Sequence, residues 1–429
     1  MKLSSSVQTR LHAARAVQAV VERGEALETA LASQPGYNDL DPRDRAFART
    51  IAASTFRRFG QIDAVLAKFL KKNPPGAVMA ALRTATAQIV FLDVPAHAAV
   101  GETVDVVKAM KMEGFAKLVN AVLRKVVESG KALAGATPPK ANVPGWLRKS
   151  WETAYGAQAM RRTAVQLTRD PPLDISVKSD PEVWAKKLGG ELLPTGTVRL
   201  SSIGDVTKLE GFDGGEWWIQ DIAASLPVKM MDIRPGDRVL DLCAAPGGKT
   251  LQLASLGAEV TSVDISEARL HRLRENLART GLDSDIVAAD LLEWEPEAQY
   301  DAILLDAPCT ATGTLRRHPD VLYNKRPKTL SQLIKLQRRI LDRTCDWVRP
   351  GGQLLYAVCS LQPEEGEAQQ TRLLGERPDF RLNPNLTPNV SKLPDGIMSD
   401  GRLRSMPHHL ADQGGMDGFF AARLERIAG

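Results

Sequence analysis

The amino-acid sequence predicts a multidomain protein: an all-α N-terminal bundle, a small α/β subdomain, and a Rossmann-like α/β domain with a doubly wound parallel sheet. Three observations carry that prediction. The chain has 429 residues, more than one hydrophobic core ordinarily organises. Apolar residues recur at helical spacing through residues 5–130. From Gly236 onward, short apolar runs alternate with amphipathic segments. The expected divisions are a helical bundle over 1–135, a linker and helix over 136–169, a small α/β subdomain over 170–229 and the Rossmann-like domain over 230–429.

The helical period is clearest in KLVNAVLRKVV, where Leu118, Val119, Val122, Leu123, Val126 and Val127 recur at the 3,4 spacing of an amphipathic helix. TRLHAARAVQAVVERG and DRAFARTIAASTFRRFGQIDAVLAKFL share it. Asp41 and Asp44 flank an N-cap region at Pro42, and Pro74-Pro75 breaks the pattern between helices. Gly, Ala, Pro and Lys dominate 130–144, which reads as a linker. A helix over 146–167 follows, then a strand in LDISV and a helix in PEVWAKKLGG.

Beyond Gly236, RVLDLC, EVTSVD, DIVAAD, DAILLD and QLLYAVC read as strands, and TLQLASLG and ARLHRLRENLART as helices. Uninterrupted apolar strands suit a parallel sheet covered on both faces. Ligands of such sheets bind at the carboxyl ends of the strands. The C-terminal GGMDGFFAARLERI ends in an alternating strand, suited to a last, antiparallel position.

Bulk properties narrow the classes. The net charge of +5 and pI near 8.9 suit contact with phosphate, although many cytosolic enzymes share them. Four cysteines without a pairing pattern argue against a disulfide framework. There is no CxxC pair and the six His form no ligand pattern, so no metal site is expected. No apolar run reaches the ~18 residues of a membrane span. MKLSSSVQTRLHAARAV lacks the apolar core and cleavage site of a signal peptide, and a cytoplasmic location is expected.

VLDLCAAPGGKT (239–250) is a strand, a glycine-rich turn and a helix start. Glycines let the backbone approach a ligand, and the helix N-terminus offers free N–H groups. A P-loop would need glycine at 243, where Cys243 stands, and the dinucleotide fingerprint is absent. A nucleoside-type site remains. Asp264 closes the second strand, 23 residues after Asp241, placed to accept from a ribose diol. Asp290 closes the third, within reach of an adenine edge, and Asp306 the fourth. Acids at strand ends also serve simply as caps for the next helix.

DAPCTATG (306–313) and YAVCS (356–360) each put a cysteine at the carboxyl end of a strand, so Cys309 and Cys359 should face one crevice. A buried cysteine is usually a small core hydrophobe, and that suffices for Cys345 in its helical stretch. Two thiols at neighbouring strand ends suggest covalent catalysis. Carbon 5 of cytosine is too weakly nucleophilic to take a methyl group from a sulfonium unaided. A thiolate adding to carbon 6 makes carbon 5 enamine-like, splitting one hard step into easier ones. Asp306 could hold the pyrimidine edge and assist protonation at nitrogen 3. Chain order alone does not choose between the two cysteines.

VLDLCAAPGGKT, DAPCTATGTLRRHPD and YAVCSLQPEEGE resemble the cofactor, aspartate–proline–cysteine and nucleophile motifs of the Sun-family RNA cytosine-5 methyltransferases. The helical half, with LVNAVLRK, resembles the NusB-like RNA-binding domain of the bacterial RsmB type. The resemblance implies a class I methyltransferase fold and S-adenosyl-L-methionine as cofactor. That cofactor would lie against Cys243, Ala244, Ala245, Pro246, Gly247, Gly248, Lys249, Asp264, Asp290 and Asp306. It implies Cys359 as nucleophile, Cys309 as an aid to product release, small-subunit rRNA as partner and a monomeric enzyme. One departure is visible: the family often has Asn where Gly366 stands.

Arg316-Arg317-His318 is either a phosphate contact or a solvated basic turn, and Arg57-Arg58 and Lys71-Lys72 could extend a backbone-binding surface. A methyltransferase for protein or small molecules would leave the paired cysteines idle. A non-catalytic RNA-binding assembly factor would leave the whole constellation without purpose.

Overall fold

The computed structural model describes residues 3–201, 204–385, 387–388 and 390–427. They pack as two units, one of Met1–Arg169 with Leu315–Pro327, the other of Asp170–Thr314 with Lys328–Gly429.

The first unit is helical: α1 (Ser5–Arg23), α2 (Leu27–Ala32), α3 (Pro42–Arg57), α4 (Phe59–Ala67), α5 (Gly76–Phe91), α6 (Ala96–Ala109), α7 (Ala116–Ala136) and α8 (Gly145–Gln166). Ser4 Oγ caps α1 by accepting from Val7 N (3.3 Å), and Gly24 ends it in the left-handed region at φ 71°. The apolar stripe of α7 behaves as the period predicts: Val119, Val122, Leu123 and Val126 pack with Leu82 of α5 and Leu66 of α4. Leu118 and Val127, at the stripe's edges, stay exposed.

Packing groups the predicted segments differently from the sequence. The apparent linker over 130–144 is helical to Ala136, and Asn142 Oδ1 accepts from Gln61 N (2.9 Å), tying the remainder to α4. Leu315–Pro327 belongs to the helical unit although the chain on both sides of it belongs to the other. Its Tyr323 ring lies 4.3 Å from that of Phe59, and Asp320 Oδ2 accepts from Leu27 N (3.0 Å).

This placement bears on the readings left open for the basic residues. Arg316 is 0% exposed, and its carbonyl accepts from Arg57 Nη2 (2.9 Å). Arg58 Nη2 donates to the Thr168 carbonyl (3.0 Å), with its guanidinium over the Phe91 ring at 4.8 Å. Arg57 and Arg58 are spent on backbone carbonyls of their own unit, whereas Lys71 and Lys72 are exposed.

In the second unit, β1 (Leu173–Val177), α9 (Pro181–Lys187), β2 (Glu191–Leu192), β3 (Val198–Leu200) and β4 (Trp217–Ile219) give a small antiparallel sheet of order β2-β3-β1-β4. α10 (Ile222–Met230) leads into β5 (Arg238–Leu242), α11 (Gly248–Ser255), β6 (Glu259–Asp264), α12 (Glu267–Thr280), β7 (Asp285–Ala288) and β8 (Tyr300–Asp306). Then come α13 (Pro327–Trp347), β9 (Val348–Val358), α14 (Glu367–Glu376), β10 (Phe380–Leu382), β11 (Met398–Ser399), β12 (Arg402–Ser405) and β13 (Phe419–Arg426).

The main sheet runs β11-β12-β13-β9-β8-β5-β6-β7, with β10 beside β13. Pairs among β5 to β9 are parallel, and β13 pairs antiparallel to β9, as the terminal alternating run suggests. Leu240, Leu242, Ile303 and Leu305 face one apolar layer, while Val239, Ala302 and Leu304 face the other. Both faces being covered, the strands read as unbroken apolar runs. Strand order reverses between β5 and β8, and the crevice outside their carboxyl ends is where such a sheet takes its ligand.

Candidate active site

At that switch point β5 opens into the turn 243–247, and α11 begins at Gly248. Cys243 is held at φ 62°, left-handed and strained for a residue with a side chain. Burial foremost pushes its thiol up, so it stays neutral. Gly247 has φ 107°, and a Cβ there would come within 2.3 Å of Leu273 Cδ1. Ala244 and Ala245 are buried, and Pro246 is exposed.

Asp264 ends β6 and is 2% exposed. Its Oδ2 accepts from Ala245 N (3.2 Å) and its Oδ1 from Ser266 N (2.9 Å). The carboxylate therefore shapes the glycine turn and caps its own, with acceptor capacity left over. Arg269 packs alongside, donating to the Ala245 carbonyl. Asp290 lies two residues beyond β7 and caps its own turn, Oδ1 accepting from Leu292 N (2.9 Å). Capping thus accounts for part of what both acids do.

Asp306, at the end of β8, accepts through Oδ2 from Lys249 Nζ at 2.7 Å. Burial pulls Lys249 down, but the charge and hydrogen bond of Asp306 outweigh it, and the ammonium is held above its ordinary value. Its Nζ sits 5.1 Å from the Phe419 ring centroid. Asp306 Oδ1 has no protein hydrogen bond among the described residues.

The two cysteines meet. Cys309 Sγ and Cys359 Sγ are 3.4 Å apart, both partly exposed, on turns from the adjacent strands β8 and β9. The contact with Cys359, then burial, then the charges of Cys359 and Glu365, raise Cys309 well above the ordinary thiol range. Cys309 is a neutral thiol beside Cys359. Cys345 is buried in α13, donating to the Leu341 carbonyl (3.3 Å), a core cysteine as expected.

Further residues lie beside these that the motifs did not single out. Ile265, next to Asp264, is 69% exposed, unusually so for a large apolar side chain. Thr310, Thr312, Ser360 and Glu365 form a buried polar layer under the cysteines. The hydroxyl residues directly after each cysteine, CTATG and CSLQPEE, were the available signal.

The glycine at 366 has a packing cause. Its backbone sits at φ −105°, ψ −94°, and a Cβ would lie 2.7 Å from Phe420 Cγ and 2.8 Å from Arg404 Nη2. Arg404 is fixed there by Glu367 (Nε to Oε1, 2.9 Å) and by donating to the Ser360 carbonyl (2.6 Å).

Comparison with known proteins follows the same division. Residues 228–425 match the model of the 16S rRNA methyltransferase RsmB/F family, and residues 7–128 match the NusB family. The ribosomal RNA small subunit methyltransferase B of Cronobacter sakazakii is 33% identical over 423 residues, covering 93% of this chain and 98% of that one. Its namesake in Pseudomonas syringae pv. tomato is 35% identical over 451 residues, covering 98% and 97%. The chain belongs to the RsmB/F family of rRNA methyltransferases. Among solved structures, PH0851 superposes at TM-score 0.77 with 23% identity over 99% of this chain and 100% of that one. A methyltransferase homologue from Pyrococcus horikoshii gives 0.54 with 25% identity over 71% and 98%. The superposition with PH0851 agrees with the overall fold of both units, and the second with a methyltransferase-type sheet. No helix among the described residues is long and apolar enough to cross a membrane, and none of their His, Cys, Asp and Glu side chains cluster as a metal site.

Proposed function

We propose that this enzyme transfers a methyl group from S-adenosyl-L-methionine to carbon 5 of a cytosine in small-subunit rRNA, with Cys359 as the nucleophile. The observation that carries the reading is the 3.4 Å approach of Cys309 and Cys359 beside the Lys249–Asp306 pair.

The glycine turn fits the cofactor. Gly247 permits the left-handed turn with Leu273 packed closely against it, the α11 N-terminus that follows brings N–H groups to the turn, and Asp264 keeps acceptor capacity for a ribose diol. Asp290 stands beyond the next strand toward the base, and Cys243 to Lys249 and Asp306 complete the surround. When bound, S-adenosylmethionine supplies an electrophilic methyl group.

The remaining steps belong to the protein and the base. Cys359 forms a bond to carbon 6, and the C5=C6 electron pair moves toward carbon 5 while nitrogen 3 takes a proton, aided by Asp306. Carbon 5 takes the methyl group and then gives up its own proton to a base. The carbon–sulfur bond breaks, the C5=C6 bond re-forms, nitrogen 3 gives back the proton it took, and Cys359 leaves as thiolate. One feature favours Cys359 over Cys309 as attacker: the Lys249 ammonium lies within electrostatic reach of Cys359. A neutral Cys309 touching the adduct sulfur suits the later step, release of product. The target cytosine must leave its stack to reach this crevice. Both cysteine turns and the glycine turn lie on one chain, so a single copy holds the whole proposed constellation, and a cytoplasmic monomer is the form this reading favours.

The test is incubation with unmethylated small-subunit rRNA and radiolabelled S-adenosylmethionine. Label should enter RNA as 5-methylcytosine, be absent with Cys359→Ala, and give way to a protein–RNA adduct with Cys309→Ala. Full activity in Cys359→Ala and loss in Cys309→Ala would reverse the assignment.

A further inference from the structure

Glu365 lies under the two cysteine turns, 0% exposed, and the chemistry above makes no use of it. Its Oε1 accepts from the Thr310 backbone N (2.9 Å) and from Gln337 Nε2 (3.0 Å). Its Oε2 accepts from Thr310 Oγ1 (2.5 Å) and from Ser360 Oγ. Thr310 directly follows Cys309, and Ser360 directly follows Cys359. One carboxylate therefore holds the neighbour of each thiol.

The surrounding bonds close the arrangement. Ser360 Oγ is 3.1 Å from both Thr310 Oγ1 and Thr312 Oγ1, and Thr312 Oγ1 accepts from Leu361 N (3.0 Å). Gly313 N donates to the Cys359 carbonyl (3.0 Å), joining the turns a second time. A carboxylate has about four acceptor positions, and four donors fill them. Glu365 has no capacity left for substrate and cannot serve as the base. No cation pairs with it among the described residues, so its charge is compensated by neutral donors alone. That is a costly group to bury, and a satisfied network of this kind rigidifies what it binds.

We propose that Glu365 is a positioning residue: it clamps the turns bearing Cys309 and Cys359 in one register, so that Cys359 meets carbon 6 with the second thiol already against it. The proposal rests on the reading of Cys359 as nucleophile. The same buried charge contributes to keeping Cys309 protonated.

The measurement is the rate of covalent trapping on small-subunit rRNA transcribed with 5-fluorocytidine, in the presence of S-adenosylmethionine. Fluorine at carbon 5 cannot be removed as a proton is, so the bond from sulfur to carbon 6 persists and is read on a denaturing gel. Wild type should be trapped and Cys359→Ala should not. Glu365→Ala should be trapped roughly 10²-fold more slowly, the usual consequence of displacing reacting groups by about 1 Å. Its affinities for S-adenosylmethionine and RNA should be unchanged. Glu365→Gln should recover most of the rate, because its amide offers an acceptor to Thr310 N and Gln337 and a donor to the hydroxyls.

Wild-type trapping by Glu365→Ala overturns the clamp. So does a Glu365→Gln variant as slow as Glu365→Ala, or a slowing that comes with equal loss of cofactor binding. If Glu365→Ala does not fold, Thr310→Val and Ser360→Ala replace it: slowed trapping with normal cofactor affinity supports the clamp, and full-rate trapping by both overturns it. Trapping of Cys359→Ala, or none with wild type, defeats the nucleophile assignment instead, and that outcome is separate from any behaviour of Glu365.

Discussion

The turn after β5 and the turns after β8 and β9 each cover a fully buried carboxylate, and the two carboxylates are treated differently. Glu365, under the cysteines, accepts from four donors. Asp241, under the glycine turn, accepts from Thr250 Oγ1 (2.6 Å), and its Oδ1 has no hydrogen-bond partner. Burial pushes Asp241 up to about 7. The cysteine turns are fixed by side-chain bonds, as covalent chemistry with tight geometry requires. The glycine turn combines strained backbone, with Cys243 and Gly247 both at positive φ, with bonds from Asp264 and Arg269 to Ala245, and Asp264 keeps acceptor capacity for a ligand. Substitutions at the first should therefore damage rate, and at the second binding and stability.

Cys359→Ala should have the largest effect. Loss of a nucleophile removes the covalent route altogether, and methyl transfer should fall on the order of 10⁴-fold or more, with cofactor affinity unchanged. Single-turnover labelling of rRNA together with calorimetric cofactor binding separates the two quantities. A matching fall in cofactor affinity would erase the contrast between the turns.

Gly247→Ala attacks the other side. The new methyl meets Leu273 at 2.3 Å and the backbone must keep φ at 107°, a combination costing about 1–3 kcal/mol. Stability by denaturant titration should drop by that much, and cofactor KM should rise further than kcat falls. A pure kcat defect would show that this turn, too, is tuned for chemistry.

Asp241 gives a pH-dependent test. Its folded value of about 7 lies above the unfolded carboxylate value of 3.8. Folding thus favours the protonated form, so the contribution is complete below pH ~4 and is lost as pH rises toward 7. Asp241→Asn keeps a partner for Thr250 and removes the titration. Relative to wild type it should gain stability between pH 5 and pH 8, on the order of 1–3 kcal/mol. A constant difference across that range would mean that Asp241 is charged and compensated, as Glu365 is by its donors.

Much of this was legible in the sequence because both periodicities are strong. Helices such as α7 and buried strands such as β8 follow their apolar patterns, and LDISV coincides with β1. The two cysteines could be brought together because adjacent parallel strands end side by side. What stayed hidden depends on long-range satisfaction. Nothing local marks Leu315–Pro327 as part of the helical unit; Asp320 and Tyr323 find their partners at Leu27 and Phe59, more than 250 residues away. Arg316 looks like a surface charge until its burial is seen. The short strands β10 to β12 carry too few residues for alternation to register. Glu365 sits in an acidic run that reads as solvated, and only the fold reveals the four donors converging on it.

Ile265 offers the smallest and most discriminating effect. It is 69% exposed at the end of β6, beside the acid assigned to the ribose, and nothing in the protein's own packing requires an apolar side chain there. Covering it with the adenine face would contribute about 1–2 kcal/mol, so Ile265→Ala should raise cofactor KM roughly 5- to 30-fold. Both Tm and kcat should hold, because the contact would be equal in ground and transition states. A lowered kcat with unchanged KM would place Ile265 with the cysteine turns rather than the glycine turn, and the division of labour between them would have to be redrawn.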